Sequence, residues 1–197
     1  MIAGLPYKAW KDGLIEERRK ARESVFTINN LNPKKKDKQK QLFKKLLGRI
    51  GRDFNIETPF RCDYGYNIEI GENFYSNFNC TILDVGKVLI GNNVMFGPNV
   101  SLYTAGHPIH PETRNSGIEY GIQIRIADNV WLGGNVVVNP GVTIGENSVI
   151  GSGSVVTKDI PPNVVAAGNP CRIVREITDE DKNRYFKNKE ITDLQGE

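Results

Sequence analysis

Ile126-Ala-Asp-Asn-Val-Trp, Leu132-Gly-Gly-Asn-Val-Val, Val138-Asn-Pro-Gly-Val-Thr, Ile144-Gly-Glu-Asn-Ser-Val, Ile150-Gly-Ser-Gly-Ser-Val and Val156-Thr-Lys-Asp-Ile-Pro follow one another without a break. An aliphatic residue opens each of these six units. The second position is usually Gly or another small or polar residue, and the fifth is small or β-branched. Self-similarity at a short fixed period marks a solenoid. A period of six is wrong for a helix and too short for a strand–turn–strand unit. It fits one flat face of a triangular coil, with three faces to a turn. Each aliphatic side chain then points inward and stacks on its equivalent one turn away. Gly and Asn serve the corners, where positive φ is open to Gly and tolerated by Asn. The competing reading is a meander of short antiparallel strands with Gly-Asn turns. Six units in phase argue against it.

Working outward, Ile70-Gly-Glu-Asn, Ile90-Gly-Asn-Asn-Val and Phe96-Gly-Pro-Asn-Val are earlier units in the same style. Residues 51 to 69 read as irregular or first-coil strands. Between Leu102 and Ile126 the hexads stop, and the interval of four sixes lets the coil resume in phase. The interruption, 104–123, holds both histidines, His107 and His110. A long loop on a rigid scaffold is where function is usually carried. Helical spacing of Leu14, Arg18, Ala21 and Val25 predicts a helix over 12–27 with Asp12 as N-cap. A second helix is predicted from Asn32-Pro33 through Leu42, Phe43, Leu46 and Leu47 to a stop at Gly48. Thr178-Asp-Glu-Asp predicts a C-terminal helix through about Lys187, covering the end of the solenoid. The organisation is therefore 1–50 helical, 51–177 coil and 178–197 helix and tail.

Composition narrows the function classes. The chain has 197 residues with Lys+Arg 26 against Asp+Glu 23, net charge +3. So slight an excess argues against a nucleic-acid footprint. The lysines at 34–45 lack interleaved aromatics and read as a solvated helix face. No apolar run reaches the length of a membrane span. The start shows no secretory signal, and Cys62, Cys80 and Cys171 are odd in number and widely spaced. A cytoplasmic setting is expected. Cys80 and Cys171 read as buried small apolar residues. No GxxxxGK loop is present, so nucleotide hydrolysis has no support.

Several segments together resemble the maltose and galactoside O-acetyltransferases, a branch of the hexapeptide-repeat acyltransferases. They are Asp63-Tyr-Gly-Tyr-Asn-Ile, Asn73-Phe-Tyr-Ser-Asn-Phe-Asn, Thr104-Ala-Gly-His-Pro-Ile-His, Asn129-Val-Trp-Leu-Gly-Gly, Pro140-Gly-Val-Thr-Ile-Gly, Gly153-Ser-Val-Val-Thr-Lys-Asp-Ile-Pro and Ala167-Gly-Asn-Pro-Cys-Arg. The resemblance covers nearly the whole chain. It implies a left-handed parallel β-helix, a homotrimer with active sites between subunits, and acetyl transfer from acetyl-CoA to a sugar hydroxyl, with no metal. His107 matches the catalytic histidine. Arg18, Asp63, Tyr75 and Asn77 match acceptor contacts, with Asn77 also near the thioester. Gly134, Ser152, Thr157, Lys158, Arg172 and Arg175 match the lining of the CoA channel. Three departures alter the acceptor contacts. Val85 stands where the galactoside enzymes have an acid, Glu119 where they have Met, and their N-terminal acid falls near Ala9 or Asp12.

The chemistry agrees with the residue types. A neutral imidazole can take the proton of a sugar hydroxyl at neutral pH. Read from its neighbours alone, His107 in Gly106-His-Pro108 is equally a catalytic base or a structural turn residue; the resemblance favours the base. His110 reads as a loop residue that packs. Glu119 is open between orienting His107, gripping an acceptor hydroxyl and being a solvated acid. Asp63 and Asn77, set among Tyr64, Tyr66, Phe74, Tyr75 and Phe78, suit a sugar, with Phe74 and Phe78 expected to pack in the core. Asp84 lies close to the missing acidic contact and could partly replace it, but reads rather as a turn residue. Lys158, Arg172 and Arg175 could pair with CoA phosphates. Alternatives are an acetyltransferase for a non-sugar acceptor, a non-catalytic binding solenoid, and a trimeric zinc carbonic anhydrase. Two histidines are too few for the three-histidine site of the last.

Overall fold

The computed structural model describes residues 1–187 and 189–191. The hexads form three parallel sheets that wrap into a triangular prism, the left-handed parallel β-helix expected. One face stacks Arg49–Ile50, Ile68–Ile70, Val88–Ile90, Ile124–Ile126 and Thr143–Ile144; it is called the Ile126 face below. The Leu132 face runs from Phe54–Ile56 through Phe74–Ser76, Met95–Phe96, Trp131–Leu132 and Val149–Ile150 to Val164–Ala167. The Val138 face stacks Phe60–Cys62, Cys80–Leu83, Ser101–Tyr103, Val137–Val138 and Val155–Val156. Residues 51 to 69 thus hold strands of the first coil turns.

The inward positions are those the hexads marked. Ile126 is in register with Ile144, Leu132 with Ile150 and Val138 with Val156. All six are essentially fully buried. Burial of each such side chain contributes roughly 1.5–3 kcal/mol. Leu102 is in register with Val138, so the coil does resume in phase after the loop.

One corner is built from asparagine. Asn73, Asn93, Asn129, Asn147 and Asn163 all hold φ between 55° and 61°. Their carboxamides form a ladder in which each Nδ2 donates to the next Oδ1, at 3.0, 3.0, 2.8 and 2.8 Å. The second corner carries Asn79, Asn99, Asn135 and Gly153, again at positive φ. Asn tolerates this region because its short polar side chain can bond locally.

Two helices close the N-terminal end. The first, α1, is Leu14–Asn29. It starts later than predicted and Asp12 does not cap it. Asp12 and Gly13 are both left-handed (φ 56° and 78°), and the turn they make leaves Gly13 at the N-cap. The second, α2, is Lys36–Leu46. Asn32 caps the turn before it instead, accepting Lys34 N–H at 2.9 Å. Ile28, Phe43 and Leu46 join the coil core, where Phe43 meets Phe54 and Phe60 edge-on. At the other end Arg172–Glu176 pairs antiparallel with Val164–Ala167.

The predicted C-terminal helix is only a 3-10 turn, Asp179–Asn183, followed by an extended Arg184–Phe186. Its start signal is real, since Thr178 and Asp181 form a capping box. No apolar face follows to bury, and Tyr185 and Phe186 are exposed. Residues 188 and 192–197 of the expected tail lie outside the described residues. Phe78 also departs from expectation: Phe74 is buried against Phe96, but Phe78 is exposed.

The ladder predicts a graded response at Asn129. Asn129→Ala should cost about 1–3 kcal/mol in urea unfolding at fixed protein concentration, from the left-handed backbone and the lost carboxamide bonds. Asn129→Gly, which keeps the backbone freedom, should cost clearly less. Equal losses would mean that backbone conformation contributes nothing.

Candidate active site

The third corner, after the Val138 face, is where the coil breaks its own rule. In the early turns Ile50, Ile70 and Ile90 are in register at intervals of twenty, whereas Ile126 and Ile144 are eighteen apart. Each extra pair of residues falls between Cys62 and Ile70 or between Ile82 and Ile90. The loop 104–123 leaves from this corner too. Its first and last segments pair as Ala105–Gly106 with Ile118–Gly121, and Pro111–Asn115 forms a short helix at its tip.

A polar spine replaces the missing aliphatic stacking. Asp84 is fully buried. Its Oδ1 accepts the N–H groups of Asp63 and Tyr64 at 3.0 and 2.9 Å, and Oδ2 accepts that of Gly65 at 2.7 Å. Its carbonyl accepts Asn67 Nδ2 at 2.7 Å. One turn on, Thr104 Oγ1 accepts Gly86 N–H at 2.7 Å and donates to the Leu83 carbonyl at 2.6 Å. The turn role expected of Asp84 is this one. Burial raises its carboxyl to about 6, against the opposing effect of the three N–H groups.

The spine fixes Asp63 beside α1 and the loop. Burial raises the Asp63 carboxyl; Arg18 and Arg22 are near enough to lower it, and Glu119 to raise it. Arg18 Nη1 donates to Tyr64 Oη at 2.6 Å, and Nη2 to the Ala9 carbonyl at 2.7 Å. Glu119 Oε2 accepts from Tyr7 Oη at 2.9 Å. Three predicted residues, Arg18, Asp63 and Glu119, therefore share one cluster, with Tyr7 and Tyr64 added. Val85 is buried and Asp12 exposed, and Ala9 offers only its carbonyl, to Arg18. His107 follows directly on Ala105–Gly106 and is exposed on the loop that leaves this corner. A Cβ on Gly106 would meet the end of the Tyr120 ring, so a larger residue there requires that ring to move. His110 is exposed at the start of the tip helix.

The other predicted residues lie elsewhere. Tyr75 faces outward from the Leu132 face, and Asn77 begins the corner that follows it. Asn77 Oδ1 accepts Phe78 N–H at 2.8 Å, so its amide is the group left to donate. Gly134 and Ser152 are on that same corner, among Gly97, Gly133, Gly151 and Gly153, where few side chains rise from the backbone. Thr157 and Lys158 are exposed at the loop corner. Arg172 and Arg175 are exposed on the terminal strand, and Arg175 is clamped by both Asp181 oxygens at 2.8 Å. Cys62, Cys80 and Cys171 are buried and unpaired. Among the described residues no group of three or more His, Cys, Asp or Glu could hold a metal, and no helix could cross a membrane.

Comparison with known proteins places this arrangement. A profile described as the maltose acetyltransferase hexapeptide capping motif matches residues 1–51, and one for bacterial transferase hexapeptide repeats matches 123–158. Galactoside O-acetyltransferase of Escherichia coli (strain K12) is 49% identical over 189 residues, 96% of this chain and 93% of that protein. The chain belongs to the maltose and galactoside O-acetyltransferase family of acyltransferases. A galactoside acetyltransferase solved in complex with coenzyme A superposes with TM-score 0.93 at 47% identity, covering 97% of this chain and 96% of that one. A maltose O-acetyltransferase from Clostridium difficile 630 superposes with TM-score 0.89 at 50% identity, covering 90% and 95%.

Sequence reading missed Tyr7. Its segment, Leu5-Pro-Tyr-Lys-Ala-Trp, has no period, and a two-residue strand leaves no pattern to find.

The raised Asp84 carboxyl has a signed consequence. A folded value near 6 against an ordinary unfolded value of about 3.9 favours folding most below about pH 4. That contribution is lost as pH rises through 6. Asp84→Asn should remove this downward slope from a series of melting temperatures between pH 4 and 6. An unchanged slope would assign it to another group.

Proposed function

We propose that the chain is an acetyl-CoA-dependent O-acetyltransferase acting on a sugar hydroxyl, with His107 as general base and direct transfer in a ternary complex. The observation that carries this reading is the division of the residues between two corners. Arg18, Asp63, His107 and Glu119 are on the loop corner, while Tyr75, Asn77, Gly134 and Ser152 belong to the Leu132 face and the corner after it. The Val138 face separates the two sets within one chain. A homotrimer would set the loop corner of one subunit against the other set on its neighbour, and the site would lie between them. Apolar exposure supports such an assembly. Tyr75, Met95 and Trp131 form a register column on the Leu132 face, 37%, 49% and 49% exposed, with Phe78 nearby at 51%. Exposed apolar patches of this kind mark interaction surfaces. Val137, on the next face, is half-buried.

In the mechanism, acetyl-CoA is a substrate that supplies an activated acetyl thioester. Asp63, Glu119 and Arg18 hold the acceptor by its hydroxyls, and Tyr75 offers a ring to stack on. His107 takes the proton as the hydroxyl oxygen attacks the thioester carbonyl. The acetyl group passes from sulfur to oxygen, and the proton passes by way of His107 to the departing thiolate. Asn77 donates from its amide beside the thioester. Gly134 and Ser152 leave room for an extended chain along bare backbone, and Thr157, Lys158, Arg172 and Arg175 face the phosphates. Of these cations Lys158 carries most weight, because Arg175 is held by Asp181. The domain division, coil 51–177 with helices before and a tail after, follows the same reading. Three buried unpaired cysteines agree with a cytoplasmic setting.

The test is a panel of hydroxylated acceptors with acetyl-CoA, followed by free thiol release. His107→Ala should lower turnover by about 10²–10⁴-fold while the protein still binds CoA. His110→Ala should stay within a few-fold of wild type. A folded His107→Ala enzyme with near-normal turnover would remove the mechanism. Lys158→Ala should raise KM for acetyl-CoA more than KM for the acceptor. Sedimentation that found an active monomer would refute the shared site.

A further inference from the structure

The strap at residues 7–10 contributes to the loop corner in a way the mechanism above does not use. Tyr7–Lys8 pairs antiparallel with Ile118–Gly121, Tyr7 opposite Glu119 and Lys8 opposite Ile118. Ile118–Gly121 is thereby the middle of three strands, with Ala105–Gly106 on its other edge and His107 just beyond. A two-stranded ladder is marginal on its own in water. Side chains hold this one at three points. Tyr7 Oη donates to Glu119 Oε2 at 2.9 Å. Arg18 ties the Ala9 carbonyl to Tyr64 of the coil. Trp10 packs against Gly117, where φ is +77° and a Cβ would run into the outer edge of the indole.

The Tyr7–Glu119 pair carries the chemical content. A carboxylate accepts at both oxygens, and a hydroxyl bonded to a charged acceptor makes one of the stronger hydrogen bonds. Tyr7 occupies Oε2, which leaves Oε1 for an incoming hydroxyl. Glu119 is otherwise a half-buried side chain on a loop, with rotamer freedom to lose. Burial, and then the bond and charge of Glu119, raise the Tyr7 hydroxyl well above its ordinary range, so it remains a donor. The charged groups facing the pair are Arg18 and Asp63, both already in the cluster.

We infer that Tyr7 is a positioning residue for acceptor recognition: it fixes Glu119 with one oxygen free for an acceptor hydroxyl, and its strap walls that side of the acceptor site. The inference rests on the acetyl-transfer reading above, in which Glu119 grips the acceptor. It predicts that Tyr7 acts on the acceptor and not on acetyl-CoA.

The experiment is steady-state kinetics with the acceptor that gives the fastest thiol release in the panel. Tyr7→Phe keeps the ring and the strand and removes only the hydroxyl. It should raise KM for the acceptor about tenfold, as for a lost bond to a charged group. Its kcat and its KM for acetyl-CoA should stay within about twofold. In a Glu119→Ala background the same change should do nothing, because no carboxylate is left to position. Three results overturn the inference: a wild-type KM in Tyr7→Phe, an equal effect in the Glu119→Ala background, or a parallel rise in both KM values with a lowered melting temperature. A wild type that acetylates no hydroxyl compound overturns the acetyl-transfer reading and this inference with it. An active wild type with a flat Tyr7→Phe overturns this inference alone.

Discussion

Register between successive turns is the constraint on which everything else depends. Ile126 must sit over Ile144, Leu132 over Ile150 and Val138 over Val156, because the core of the prism is only as wide as those side chains. Interiors pack at crystal-like density, so a turn that gained a residue inside a face would open a void along the stack. Extra residues can therefore be added only at corners. The chain adds them at a single corner, twice as short widenings and once as the loop 104–123.

That choice determines the electrostatics of the site. A widened corner exposes backbone N–H groups that no strand can pair, and unpaired buried N–H groups are costly. Asp84 answers three of them with one carboxylate. Holding the backbone at 63–65 also holds the Asp63 side chain at the corner, within reach of Arg18 and Glu119. The buried acid that satisfies the scaffold and the half-buried acid beside Arg18 are thus consequences of the same insertion. The helices take part as well: Arg18 shares the face of α1 that Ala21 and Ile28 anchor in the coil core, which brings it over the corner.

Legibility of the sequence followed the strength of local pattern. The coil was readable because six hexads repeat, and its corners because Asn and Gly recur where φ is positive. The loop was readable as an interruption of that count. Helix ends were less so: Asp12 has the right side chain for a cap, but its left-handed backbone forbids the geometry. Thr178 does make a capping box, yet propensity without a face to bury gave one turn. Phe78 looked like core from its neighbours, and only its place on the corner after the Leu132 face explains its exposure. Arg18, Asp63 and Glu119 come together from three separate elements, the first and last over a hundred positions apart, a proximity that no spacing in the chain encodes. Tyr7 was invisible for the same reason.

The reversal of the last strand has a consequence for how the molecule behaves in concentrated solution. A prism of parallel turns ends in a ready template, and two such ends could join and grow into a fibre without limit. On the Leu132 face Arg172–Glu176 turns back against Val164–Ala167, so the final edge of that face runs in the wrong direction to accept another turn. It also carries Arg172, Arg175 and Glu176 in the open. At the opposite end Ile28, Phe43 and Leu46 of α1 and α2 pack onto the first turn. One end of the repeat is thereby covered with apolar side chains, and one face of the other is ended by the polarity of the chain itself.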